Sequence, residues 1–144
     1  MPSASPQPST STPPSRQALK VLVIDDDSFQ LSLLSELLRG LGIAGVTCVS
    51  SGREGMQQVT AAPAAFDLIL IDLYMPGMDG FEFMDSLARA NYTGAMVIVS
   101  GQSDDVLRGA TLVARLRRFT LLGTLRKPVE RAALSALIAG LSGR

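Results

Sequence analysis

Short unbroken apolar runs alternate along this chain with longer stretches whose apolar residues recur every three or four positions. Val21-Leu22-Val23-Ile24, Leu68-Ile69-Leu70-Ile71, Met96-Val97-Ile98-Val99 and Leu121 to Leu125 read as strands, the first three as continuous runs suited to burial on both faces. Val46-Thr47-Cys48-Val49 is half polar and suits an edge strand, with Cys48 expected as a small core residue. Between the strands, Leu31, Leu34, Leu38 and Leu41 fall at helical spacing behind Asp26-Asp27-Ser28, where Asp27 is the expected N-cap. Gly40 and Gly42 stop that helix. Ser51-Gly52 opens a short helix ending near Pro63. A Met75-Pro76-Gly77 turn precedes a helix from Asp79 to Ala90, and Asp104 to Arg118 reads as a fourth helix. Leu134, Leu137, Ile138 and Leu141 share one face of a fifth.

Strand and helix thus alternate five times. The expected fold is α/β, a doubly wound (βα)5 unit with a five-stranded parallel sheet. Right-handed crossovers place the C-terminal ends of all strands on one edge, where such sheets bind their ligands. Residues 18–144 form the expected domain. In residues 1–17, twelve of seventeen are Pro, Ser or Thr, a composition that predicts a disordered tail.

Composition narrows the chemistry. Apolar residues make up 47% of the 144, enough for one packed domain without disulfides or structural metal. The absence of histidine excludes Ser-His-Asp and Cys-His catalysis and histidine-ligated zinc, and the lone Cys48 excludes an internal disulfide. Thirteen basic and thirteen acidic residues balance, which argues against non-specific binding to nucleic acid or membrane surfaces. With no apolar stretch near membrane-span length and no signal-peptide layout at the N-terminus, a cytoplasmic protein is expected.

The polar residues that matter stand where the apolar runs stop. Strand one ends in Asp25-Asp26-Asp27, strand three in Asp72, strand four in Ser100-Gly101 and strand five in Lys127-Pro128. Clustered carboxylates repel one another and call for a cation, and hard oxygen donors favour Mg²⁺. A lysine supplies a point charge for a carboxylate or phosphoryl oxygen, and an aspartate can itself accept a phosphoryl group.

Through VLVIDDD (21–27), DLILIDLYMPGMDG (67–80), VIVSG (97–101) and RKP (126–128), the chain resembles the receiver domain of two-component response regulators. The resemblance covers residues 19 to 142 and implies a flavodoxin-like sheet of order 2-1-3-4-5. It implies phosphorylation of Asp72 by a phosphohistidine on a sensor histidine kinase or histidine phosphotransfer protein. It also implies Mg²⁺ held by Asp26 and Asp72, by Asp25 through water and by the Tyr74 carbonyl. Ser100 and Lys127 would contact the phosphoryl group, with small Gly101 leaving it space and a cis bond into Pro128. Such a domain is a switch, not a turnover enzyme. It controls an output partner or domain that this sequence does not name, and a phosphorylation-dependent homodimer is a further reading.

The chain departs from the family at Thr124, where an aromatic switch residue is usual. Tyr74 and Gln102 stand where the family tunes phosphate lifetime. Ser100 and Lys127 are 27 positions apart, so the fourth helix or the loop after it is expected to be long. That stretch carries Arg108, Arg115, Arg117 and Arg118, with Arg126 and Arg131 nearby. The arginines read either as a partner-docking face, centred on Arg115, Arg117 and Arg118, or as a solvated helix surface. VARLRRF (113–119) resembles receivers that precede cyclic-di-GMP phosphodiesterase domains. Two alternatives remain: a haloacid-dehalogenase-like phosphatase, whose nucleophile would lie on strand one, and a degenerate receiver acting only as a binding module.

Overall fold

The computed structural model describes residues 18–75, 78–101 and 104–142. The expected tail, the Pro76-Gly77 turn and Gln102 lie outside the described residues. Five strands form one parallel sheet: β1 (Lys20–Ile24), β2 (Gly45–Val49), β3 (Leu68–Asp72), β4 (Ala95–Ser100) and β5 (Thr120–Arg126). Their spatial order is β2-β1-β3-β4-β5, as the family resemblance implied. Helices α1 (Ser28–Gly40), α2 (Gly52–Ala61), α3 (Gly80–Arg89), α4 (Asp104–Leu116) and α5 (Arg131–Ser142) follow the strands in turn. After β3, Tyr74–Met75 pairs antiparallel with Met78–Asp79 in a small two-stranded ribbon.

Alternation along each strand divides the core in two. Val21, Val23, Leu68, Leu70, Val97 and Val99 face a cluster closed by Leu34, Leu38, Leu134 and Ile138 from α1 and α5. Leu22, Ile24, Ile69, Ile71, Met96 and Ile98 face the other, closed by Val59, Phe83, Leu87, Ala110 and Ala114 from α2, α3 and α4. Because both faces are covered, β3 and β4 are buried at every position, and each fully buried aliphatic side chain contributes about 1.5–3 kcal/mol. Edge strand β2 is half-covered, and Cys48 is exposed there instead of buried. Having a neighbour on one side only, β2 leaves Cys48 in an open groove beside Leu31, Ser35 and Arg39. Partial burial still raises its thiol pKa, against the opposing influence of Ser35 and Arg39.

The helix ends follow local rules. Asp27 caps α1, its carboxylate accepting the Phe29 and Gln30 N–H groups. Ser51 caps α2 by accepting the Glu54 N–H at 3.1 Å. Three helices then close with one motif, a left-handed residue followed by a buried or half-buried apolar one. Gly42, Asn91 and Arg118 take φ values of 94°, 61° and 63°. Ile43, Tyr92 and Phe119 follow them, donating back to Leu38, Leu87 and Ala114. Glycine adopts this conformation freely, whereas an arginine there carries about 1–2 kcal/mol of strain.

The fourth helix ends at Leu116, not Arg118, so Arg117 and Arg118 lie in the turn. The Asp104–Leu116 helix, this turn and a bulge in β5 accommodate the long Ser100–Lys127 interval. The β4–β5 register passes from Met96↔Leu121 to Val97↔Gly123, leaving Leu122 as an extra residue. Gly123 then meets α5 closely: a Cβ there would sit 2.7 Å from Leu137 Cδ2.

Candidate phosphoacceptor and metal centre

Four of the five strands, β1, β3, β4 and β5, deliver a polar group to the C-terminal edge of the sheet because their apolar runs end there. Asp25 follows β1, anchored by its N–H to the Val49 carbonyl at 3.2 Å. Asp72 is the last residue of β3 and pairs with Val99 of β4. Ser100 ends β4 and is fully buried. Lys127 follows β5, with its N–H donating to the Ser100 carbonyl at 3.1 Å and a cis peptide bond into Pro128.

These groups converge. Lys127 Nζ lies 2.8 Å from Asp25 Oδ2 and 2.9 Å from Asp72 Oδ2, so one ammonium bridges two buried carboxylates. Asp26 is exposed, and its carboxylate completes a triad with Asp25 and Asp72 whose oxygens lie within 4.8 Å of one another. The second oxygens are held by backbone: Asp25 Oδ1 accepts the Asp27 N–H and Asp72 Oδ1 accepts the Tyr74 N–H, each at 2.9 Å.

Three carboxylates and one ammonium leave the cluster negative. Burial pushes the Asp72 carboxyl above its ordinary pKa, and the Asp25 charge adds to this; Lys127 and the Tyr74 N–H pull the other way. Burial opposes the charge on Lys127, but its bonds to Asp25 and Asp72 prevail and raise its pKa. Asp25 Oδ2 is enclosed and receives no well-directed hydrogen bond, only the ammonium contact at 2.8 Å. Three clustered carboxylates sharing one ammonium, all hard oxygen donors, fit a small divalent cation such as Mg²⁺.

The other expected residues are more scattered. Tyr74 projects into solvent, 67% exposed, beside Asp72. Gly101 is exposed, and a Cβ there would meet nothing within 4 Å. Thr124 is half-buried in β5 opposite Ile98 of β4. Arg115 and Arg118 are exposed, while Arg117 turns back to Asp85 of α3 at 2.7 Å. Sequence reasoning missed Asp85 and the backbone donors of Asp27 and Tyr74, because main-chain groups carry no residue signature.

The comparisons with known proteins agree with this geometry. The family model for the response regulator receiver domain matches residues 21–139. A probable chemotaxis protein CheY of Rhizobium etli is 30% identical over 129 residues, spanning 88% of this chain and 95% of that protein. The cyclic di-GMP phosphodiesterase RocR of Pseudomonas aeruginosa is also 30% identical over 129 residues, but these make up only 32% of its length. A response regulator receiver domain protein from Clostridium thermocellum superposes with a TM-score of 0.74 at 30% identity, covering 88% of this chain and 95% of its own. Asp72 stands on the third strand, whereas the phosphatase alternative places its nucleophile on the first, and the family match does not favour that reading. The chain belongs to the response regulator receiver domain family, the phosphorylation-controlled switches of two-component signalling.

Proposed function

We propose that Asp72 is the phosphoacceptor of this receiver and that a phosphohistidine on a sensor kinase or phosphotransfer protein is its donor. The bridge from Lys127 to Asp25 and Asp72 is the observation that carries the reading. An Asp72 oxygen attacks phosphorus, a P–O bond forms, the P–N bond breaks, and the imidazole leaves with the electron pair. Lys127 already touches the attacking carboxylate, so its charge follows the phosphoryl oxygens as they arrive. The buried Ser100 hydroxyl supplies a further hydrogen bond to them. The Tyr74 N–H holds the other Asp72 oxygen and fixes the carboxylate plane.

Asp26 and Asp72 directly, Asp25 through water and, as the family resemblance implies, the Tyr74 carbonyl would hold Mg²⁺, which when bound would neutralise charge on the transferring group. The complete set of Asp25, Asp26, Asp72, Ser100 and Lys127 supports a working receiver over a degenerate binding module. A cytoplasmic location is consistent with this role; no described helix is long and apolar enough to cross a membrane.

Output passes by displacement of the loop after Ser100 and of α4, toward a partner face that includes Arg115, Arg117 and Arg118. Thr124 is too small to act as an aromatic rotor, and a phosphoryl group shifts an equilibrium only through contacts that differ between the two states. Ser100 and Lys127 provide that difference. The occupant of this face is an output partner or domain, or a second phosphorylated copy.

The test is exposure to a small phosphodonor with and without Mg²⁺, followed by intact-mass measurement. One hydroxylamine-labile phosphoryl group is expected, dependent on Mg²⁺ and absent from Asp72→Ala. Undiminished labelling of Asp72→Ala would refute the assignment.

A further inference from the structure

The helices do not grip the sheet equally. Helix α1 sets Leu34 and Leu38 into the core, α3 sets Phe83, Met84 and Leu87, and α5 sets Leu134 and Ile138. Among the described residues of α4, the buried side chains are Ala110 and Ala114, with Val113 half-buried beside them. An alanine methyl removes far less apolar surface from water than a leucine or phenylalanine side chain. Gly109 loosens the helix further. A Cβ there would meet nothing within 4 Å, so no close approach requires the glycine, and inside a helix glycine loses more backbone freedom on folding than alanine. The turn after α4 is strained as well, with Arg118 at a φ of 63°.

A polar contact ties this loosely held segment to its neighbour. From the turn, Arg117 brings its Nε to 2.7 Å from Asp85 Oδ1 of α3. Asp85 has a closer candidate along the chain, because Arg89 stands four residues on, the spacing at which helix side chains pair. Arg89 instead donates to Ser86 Oγ at 3.4 Å, and Asp85 reaches across to the turn. Both side chains are part-exposed, and such a pair is weak by itself. It still shifts an equilibrium by its full strength when it exists in only one of the two states.

We infer that the Asp85–Arg117 pair is an autoinhibitory clasp, closed while α4 occupies its resting place and opened when α4 is displaced. The inference rests on the route through α4 proposed above and adds the regulation of that route. Coupling between two sites is reciprocal. If a phosphoryl group at Asp72 favours displacement of α4, whatever favours displacement also favours the phosphoryl group. Opening the clasp therefore tightens binding of a phosphoryl mimic, although neither residue stands in the site.

The test uses the full chain with saturating Mg²⁺ and beryllofluoride as the mimic. Arg117→Gln and Asp85→Asn should each raise beryllofluoride affinity by about two- to fivefold in calorimetric titration, the strength of a part-exposed pair. Without the mimic, each should speed amide exchange across residues 108–116 by a similar factor. The double variant should gain no more than either single one, because both remove the same contact. The reversed pair, Asp85→Arg with Arg117→Asp, should return both readouts toward the wild type, which separates the clasp from a general effect of charge. Additive effects of the two single variants, or unchanged affinity and exchange in all of them, would overturn the inference while leaving the route through α4 standing. If beryllofluoride leaves exchange across residues 108–116 of the wild type untouched, the route itself fails and the clasp falls with it.

Discussion

Replacing Asp72 with Asn should stabilise the metal-free protein. Asp72 Oδ lies within 4.8 Å of the carboxylate oxygens of Asp25 and Asp26. At an effective dielectric constant near 20, each such pair repels by about 3.5 kcal/mol, so the two together cost about 7 kcal/mol. The Lys127 ammonium at 2.9 Å returns about 5.7 kcal/mol on the same scale. Screening of the exposed Asp26 reduces the repulsion, while burial of the Asp72 charge adds to the penalty. The expected gain on Asp72→Asn is about 1 kcal/mol, or roughly 3–5 °C in Tm for a domain of this size. Asn keeps the oxygen that accepts the Tyr74 N–H but sets an NH₂ group where Oδ2 faced Lys127, so the ammonium retains Asp25 as its carboxylate partner, and the lost Asp72 contact is what holds the net gain down.

The assay is thermal unfolding in chelator at neutral pH, repeated with Mg²⁺. At ten times its Kd the ion adds about 1.4 kcal/mol to the wild type, and less to the variant that has lost a ligand, so the order of stability should reverse. The pH dependence has a definite sign. The folded pKa of Asp72 is raised, so its ionisation destabilises the folded state above the carboxylate range. The advantage of Asn must fade as pH falls toward the ordinary value of 3.8. A lower Tm for Asp72→Asn in chelator would refute this account of the cluster.

Neighbouring acids should separate by role: Asp26→Asn is expected to weaken Mg²⁺ binding by isothermal titration, while Asp27→Ala leaves it intact and costs about 1 kcal/mol in denaturant unfolding through the lost cap. Gly123→Ala should destabilise by about 1–3 kcal/mol in the same assay, because its Cβ would meet Leu137 at 2.7 Å in a packed layer. Beryllofluoride, a phosphoryl mimic, should alter amide exchange across residues 101–120; changes confined to the loop after Asp72 would exclude the proposed route through α4.

The class of fold and the make-up of the candidate site are legible in the order of residues alone. Its apolar runs end at Asp25, Asp72, Ser100 and Lys127, and a parallel sheet with right-handed crossovers leaves those ends on one edge. Asp27 was legible as a cap for the same local reason, since capping depends only on residues next in sequence. Whatever depends on neighbours distant along the chain emerges only on folding. β2 is the edge strand that its half-polar run suggests, but that Cys48 is one of its uncovered positions is set by the folded sheet and its neighbours. Helix α4 stops at Leu116 because a left-handed residue at Arg118 turns the chain, and Arg117 turns to Asp85 of α3 across the fold. Most of all, the sharing of one ammonium between Asp25 and Asp72 arises from carboxylates 47 positions apart and a lysine 55 positions beyond the second. Residue types showed that these charges would meet, but the distances that shift the Asp72 and Lys127 pKa values and create the demand for a cation exist only once β1, β3 and β5 are in register.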